Sequence, residues 1–234
     1  MRLTATIFVA IALTACTHDS PGGSTGRTTT SGIPTTTSST TTVRTSVPAV
    51  GDAGNVPPYI ARDCSKDVTA ALQQWINRSP DGSVLRFGSQ GCYRIDKTLF
   101  VRDKNDLRIE GNGATLKATL VGDRTRMQLV LEGGSGLTVH NLVVRGANFS
   151  AGSHRGAYHP DLEAQHAFSV NGATDVVLDD VKAYDLYGDF VYIGSGPGNT
   201  ASRNVTVSNS RFSRSGRQGI SITNAVNVTI KGKN

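Results

Sequence analysis

The sequence predicts an all-β fold, a parallel β-helix with one α-helix at its N-terminal end. Three observations support this prediction. A short apolar run, then Asn, Asp or Gly, then a second apolar run recurs along the second half of the chain. The runs are β-branched with no helical period between them, as is typical of strands. The copies are one solenoid coil apart, at 30, 39, 29 and 23 residues; they begin at Leu107, Leu137, Val176, Val205 and Val228.

Strand alternation assigns residues of this repeat to the core. The side chains expected to point inward are Val139, Leu178, Val205, Val207 and Ile230. Asn141, Asp180 and Asn209 share the bend that follows these strands. We expect this polar position to be a structural ladder of turns rather than a catalytic site.

A second set of strands is predicted where three segments align: 166–170, 189–193 and 218–222. Their shared apolar positions form two inward columns, Phe168, Val191 and Ile220 in one and Val170, Ile193 and Ile222 in the other. His166, Asp189 and Gln218 then lead the three strands in one polar column. We expect the turn before each strand to rotate these side chains outward, because polar groups inside an apolar column are costly.

An amphipathic helix is predicted over residues 65–78, whose apolar residues follow the i, i+3, i+4, i+7 spacing. Ser65 is its expected N-cap. Strands are predicted at 83–87 and 92–95. The helix would cover the first coil, whose strand edges would otherwise be open to pairing.

The N-terminal 49 residues are expected to lie outside the folded domain. Residues 1–16 form a signal peptide that ends in Leu13-Thr14-Ala15-Cys16, which resembles a bacterial lipobox with Cys16 as the lipid acceptor. An ordinary secretory signal, with Cys16 incidental, is the alternative. Residues 17–49 are rich in Thr, Ser and Pro and predict a disordered linker. Residues 50–234 are then an exported β-helix domain, anchored by lipid at the outer face of the bacterial cell membrane.

Two further cysteines, Cys64 and Cys92, lie in the predicted domain. An exported protein meets an oxidising compartment, so we expect a disulfide between them. Two free buried thiols are the alternative.

The chain resembles the pectate-lyase-like superfamily over about residues 60–234. The resemblance rests on the helix, Phe87, the segment Cys92-Tyr-Arg-Ile-Asp96, the segment Gly111-Asn-Gly-Ala-Thr-Leu116 and the Asn-Val-Thr-Ile type repeats. It implies a single-stranded, right-handed parallel β-helix. It implies less about activity, because this fold hosts lyases, hydrolases, epimerases and non-catalytic adhesins.

The polygalacturonase branch of that superfamily has two Asp and a His at the strand-leading positions. Only Asp189 matches, since the other positions hold His166 and Gln218. An inverting hydrolase needs two carboxylic residues. The resemblance therefore makes a hydrolase less favoured than a lyase or epimerase.

Lyase or epimerase chemistry needs a base for the proton α to a uronate carboxylate and a group that holds the developing charge. The expected catalytic roles are a base at His166, a carboxylate clamp at Arg217, a donor at Gln218, an orienting acid at Asp189 and a hydroxyl at Tyr192. Expected substrate-binding residues are Tyr187, which could also donate to the leaving oxygen, with His159 and Arg214.

The longest break in the repeat is the insertion 148–165, which leads into His166. We expect it to wall a binding groove. Its His154, His159, Asp161 and Glu163, with His166, have types that ligate metals, but their spacing matches no metal motif. We therefore predict neither a metal nor a cofactor; calcium is possible but has no supporting motif.

The chain after Asp189 carries no Asp or Glu, and its cations are Arg203, Arg211, Arg214, Arg217, Lys231 and Lys233. A basic surface attracts anionic polymers. In an exported protein this favours an acidic polysaccharide or envelope glycan over nucleic acid. We expect a monomer that meets the membrane only through its lipid.

The sequence thus predicts a surface carbohydrate-active protein that acts on or binds an acidic polysaccharide. Non-catalytic glycan binding or adhesion is the alternative. The repeat stops with residues 228–234, half a coil in, so we also expect a C-terminally incomplete solenoid. An inactive remnant is therefore a third interpretation.

Overall fold

A computed structural model describes residues 54–232. The predicted signal peptide 1–16, its lipid acceptor Cys16 and the predicted linker 17–49 lie outside the described residues. The division of the chain into these segments and a β-helix domain stays a prediction.

Short strands dominate the described residues. Their bounds are β1 Asp63–Asp67, β2 Val84–Arg86, β3 Cys92–Arg94, β4 Leu99–Arg102, β5 Arg108–Glu110, β6 Thr115–Lys117, β7 Leu129–Glu132, β8 Thr138–His140, β9 Val143–Arg145, β10 Phe168–Asn171, β11 Thr174–Asp179, β12 Lys182–Leu186, β13 Val191–Gly194, β14 Ser202–Ser208, β15 Arg211–Ser215, β16 Ile220–Ile222 and β17 Ala225–Lys231. The helices are α1 Thr69–Arg78 and three 3-10 turns at Arg155–Ala157, Pro160–Leu162 and Pro197–Asn199.

The named strands form three parallel sheets. The first sheet is β2-β5-β8-β11-β14-β17, the second is β1-β3-β6-β9-β12-β15 and the third is β4-β7-β10-β13-β16. From β2 onward, consecutive strands visit the three sheets in turn. Among residues 54–232, β2, β3 and β4 therefore make the first coil and β14, β15 and β16 the last full one. The fold is a parallel β-helix, as predicted.

The core forms where the alternation places it. Phe168 pairs with Val191, and Val191 with Ile220, in the register predicted from the aligned segments. Val139, Leu178, Val205 and Val207 are fully buried. Ile230 keeps its register beside Val207, but its side chain is 47% exposed. Its inward register is as predicted, but the side chain is uncovered because, among residues 54–232, β17 has a partner strand on one side only. Ile222, also predicted to point inward, is 50% exposed for the same reason, since β16 ends the third sheet.

Helix α1 packs Leu72, Trp75 and Ile76 into the core, as its apolar spacing predicts. It begins at Thr69 rather than Ser65, because Ser65 lies in β1, whose Asp63 and Asp67 pair with residues of β3. Asp67 Oδ1 accepts from the Thr69 N–H at 3.0 Å and so satisfies a donor of the first turn. No helix among residues 54–232 is long and apolar enough to cross a membrane.

A disulfide joins Cys64 of β1 to Cys92 of β3, which confirms the predicted pairing. It closes a loop with a sequence separation of 28 residues around the helix. In the chain-entropy treatment such a link stabilises the fold by about 3 to 4 kcal/mol.

The bends after the first-sheet strands share one backbone conformation. Asn141, Asp180 and Asn209 have φ of 48°, 49° and 52°, the left-handed region that Asn and Asp tolerate best among non-glycine residues. The N–H of Asp180 donates to the Ser208 carbonyl of the next coil at 3.1 Å. This position therefore has the structural turn role expected from the sequence.

Candidate functional site

Two buried polar residues lead neighbouring strands of the third sheet. His166 stands before β10 and is 5% exposed, and Asp189 stands before β13 and is 0% exposed. Gln218, before β16, is exposed. The three do share a column, but the expected outward rotation is wrong for two of them: His166 and Asp189 are buried, and only Gln218 is exposed.

The Asp189 carboxylate is held by the loop before β16. Arg217 Nη1 lies 2.7 Å from Oδ2, and the Gln218 backbone N–H donates to Oδ1 at 3.1 Å. Each oxygen therefore accepts a hydrogen bond, and the guanidinium neutralises the buried charge. A buried carboxylate is tolerable only when paired and hydrogen-bonded in this way.

His166 contacts the backbone of Asp189 rather than its carboxylate. The Asp189 N–H donates to His166 Nδ1 at 3.0 Å, whereas the carboxylate Oδ2 is 3.6 Å from Nδ1. A backbone N–H can only donate, so Nδ1 accepts and the proton of the neutral ring is on Nε2. Burial is the main cause that lowers the pKa of His166; Arg217 lowers it further, while Asp189 and Glu163 oppose the shift.

Tyr192 packs against His166. The two rings are stacked, with centroids 4.9 Å apart and planes at 4°. The hydroxyls of Tyr192 and Thr223 are 2.9 Å apart. The stack, together with the backbone hydrogen bond, fixes the plane of the imidazole.

The insertion 148–165 supplies Glu163 to the same site. Its Oε2 accepts from the Tyr158 hydroxyl at 2.8 Å and lies 3.3 Å from Arg217 Nε. Arg217 thus bridges a buried carboxylate and a half-exposed one. From the sequence, Glu163 is expected only as a metal ligand. Its position three residues before His166 is the signal that places it at this site.

The side chains of His166, Tyr192, Glu163 and Arg217 line an open cleft of about 410 Å³, whereas the buried Asp189 is not part of its lining. Its lining residues are Met127, Glu163, Ala164, His166, Asn171, Tyr192, Ser195 and Arg217. The cleft offers a cation, a carboxylate, an imidazole and amide and hydroxyl groups, which suits a polar and anionic ligand.

The structure places the remaining predicted site residues outside this lining. Tyr187 and His159 contact each other edge to face at 5.1 Å. Arg214 Nε lies 2.5 Å from Asp185 Oδ1. The Gln218 side chain accepts from the Ser221 hydroxyl at 2.7 Å.

Within residues 54–232, no three His, Cys, Asp or Glu side chains are grouped so as to hold a metal ion. The five residues considered as ligands therefore do not converge on one point. Comparison of the chain with protein-family models, with curated proteins and with solved structures returned no match.

Proposed function

We propose that the protein binds an acidic polysaccharide in this cleft and acts on it by lyase- or epimerase-type chemistry, in the manner of the pectate-lyase-like superfamily. The observation that carries the proposal is Arg217, which lines the cleft and is fixed by the buried Asp189 carboxylate. A guanidinium held in this way is a preorganised partner for a uronate carboxylate.

The chemistry follows from what such a clamp does. Removing a proton α to a carboxylate builds negative charge on its oxygens, and fixed donors nearby lower the barrier. Arg217 and His166 Nε2–H are donors of this kind.

A hydrolase fits the cleft less well. It needs one free carboxylic acid and one free carboxylate. Asp189 has both oxygens engaged and is 0% exposed, so it is a poor general acid for a glycosidic oxygen.

Non-catalytic glycan binding is the second candidate, and one observation favours it. Arg217 already faces two carboxylates, Asp189 and Glu163, so its charge is largely balanced before a ligand arrives. A cleft of this kind can hold sugar hydroxyls without activating a proton.

We also propose that the domain is exported and tethered through a lipid on Cys16 at the cell envelope. The Cys64–Cys92 disulfide supports an oxidising location, because such bonds are rare where thiols are kept reduced. Labelled palmitate should enter the parent protein and fail to enter Cys16→Ser.

The function is tested by incubating the purified protein with polyuronates and with neutral polysaccharides. We expect uronate polymers alone to yield products with the ultraviolet absorbance of a double bond conjugated to a carboxylate, or C5-epimerised sugars seen by proton NMR. Arg217→Gln should abolish turnover, whereas Arg203→Gln, an exposed arginine on β14, should retain it. Binding without turnover would favour the second candidate; neither binding nor turnover would overturn both.

A further inference from the structure

We propose that Glu163 is the proton acceptor of the cleft and that His166 is a fixed hydrogen-bond donor rather than a base. This inference rests on the proposed lyase- or epimerase-type function and deepens it. It assigns a catalytic residue that the strand-leading column alone does not contain.

The hydrogen bonding of His166 determines which ring nitrogen carries its proton. Its Nδ1 is occupied by the Asp189 backbone N–H at 3.0 Å, so the neutral ring has no free lone pair on that side. The other nitrogen, Nε2, then carries the hydrogen. A neutral imidazole in this tautomer donates from Nε2 and cannot take a proton there.

The other polar residues at the cleft are also unsuited to act as the base. Asp189 is fully buried and both its oxygens accept hydrogen bonds. Arg217 is always protonated in proteins. No Lys among the described residues lines the cleft, and Tyr192 would need an ionised phenol to act as a base.

Glu163 has what a base in the cleft requires, an accessible side chain and a carboxylate oxygen without a hydrogen bond to any described residue. Its side chain is 46% exposed and lines the cleft. Oε2 is engaged by Tyr158 and Arg217, while Oε1 has no hydrogen bond to any described residue. The two contacts on Oε2 fix the carboxylate and leave one oxygen to meet a substrate.

These groups account for every proton and electron pair in the elimination. Glu163 Oε1 forms an O–H bond with the proton α to the uronate carboxylate, while Arg217 and His166 Nε2–H stabilise the negative charge on that carboxylate. The C–H electron pair becomes a C=C bond as the bond to the leaving oxygen breaks. That oxygen takes a proton from water in the open cleft, and Glu163 releases its proton to solvent.

Nitrogen-15 NMR of the histidines in the intact protein tests the donor role directly. We expect His166 to show a protonated Nε2 and an unprotonated Nδ1 from pH 8 to pH 6, assigned by loss of the signal in His166→Gln. The charged and titratable groups around the ring are Asp189, Arg217, Glu163 and Tyr192. A proton on Nδ1 in the neutral ring would overturn the assignment.

Kinetics with matched variants tests the acceptor role. Glu163→Gln should lower kcat by about 100-fold or more, the usual contribution of a general base, with little change in binding. Asp161→Asn, on the same insertion and 81% exposed, should leave kcat unchanged. His166→Gln retains an N–H donor and should keep more activity than His166→Ala.

The outcomes separate this inference from the function it rests on. A parent protein without turnover on any polyuronate overturns the catalytic function and the role of Glu163 with it. An active parent whose Glu163→Gln variant is equally active overturns the role of Glu163 alone. An inactive His166→Gln beside an active Glu163→Gln would restore His166 as the base.

Discussion

Two columns of side chains lie two residues apart along the third sheet, and one is apolar while the other is polar. The apolar column, Phe168, Val191 and Ile220, fills the interior of the solenoid. The polar column, His166, Asp189 and Gln218, precedes it on each strand. Both columns contain fully buried residues, since Phe168 is 1% and Asp189 0% exposed.

The difference lies in what each column needs from its neighbours. The apolar column needs only side chains that fill the interior and that alternate with outward-facing residues, and each repeated coil supplies these. The polar column needs specific partners, and these come from non-repeating parts of the chain: Arg217 from the turn before β16 and Glu163 from the insertion. In this solenoid, the core is therefore formed by the repeated strands and the candidate site by segments that break the repeat.

The largest expected effect comes from breaking the apolar column. Phe168→Ala should lower the free energy of unfolding by about 3 to 5 kcal/mol, through lost burial and the cavity left behind. Urea titration followed by circular dichroism measures this loss. Phe149→Ala, at 66% exposure, should change it by less than about 0.5 kcal/mol. Similar losses in both variants would contradict the burial assignment.

Breaking the polar column should have the next largest effect. Arg217→Met leaves Asp189 buried without its cation, and we expect a loss of about 3 kcal/mol, at the low end for a buried pair because Arg217 is 31% exposed. The double variant Arg217→Met/Asp189→Leu should recover part of that loss in a double-mutant cycle.

Arg102→Met is the matched control, because its pair with Glu132 is half exposed and worth little. A fully additive double variant would mean that Arg217 and Asp189 do not interact. Arg102→Met as damaging as Arg217→Met would mean that burial does not distinguish the two pairs.

The smallest effect is a pH dependence from His166. Its pKa is lowered in the fold, mainly by burial, so the unfolded chain takes up a proton first as the pH falls. This neutral ring therefore adds to the free energy of unfolding above the unfolded pKa of about 6.5, and that addition is lost as the pH falls toward the lowered pKa of the folded state. Urea midpoints at pH 7.5 and 5.5 should differ less in His166→Gln than in the parent. An unchanged difference would argue against a neutral buried ring.

Much of the fold could be predicted because it depends on local alternation. The columns at Phe168 and Val170 and the polar bends follow from residue types at fixed intervals. The disulfide is expected on a different ground, that an exported chain with two cysteines in one domain meets an oxidising compartment. The first residue of α1 could not be predicted in this way, because Asp63 and Asp67 pair with β3 and hold Ser65 in a strand. Pairing with a distant strand overrides a local N-cap signal.

The candidate site could be predicted only in part. His166, Asp189, Arg217 and Tyr192 come together because strand register places them on adjacent coils. The contact of Glu163 with Arg217 depends on the path of an insertion without periodicity, and the proton of His166 depends on one backbone hydrogen bond. Glu163 lies three residues before His166, which places it near the cleft, but neither its contact with Arg217 nor the position of the His166 proton follows from the residue pattern.

The insertion 148–165 leaves the solenoid after β9 and returns at β10, within a single coil. Neighbouring coils pair by strand register on either side of it, and its two ends are held by Asn148, which donates to the Leu186 carbonyl, and Gln165, which donates to the Val121 carbonyl. Exchange of the residues between these two ends would change the wall of the cleft and leave the strand pairing in place. For protein engineering, this makes the coil between β9 and β10 the natural place to graft new recognition loops.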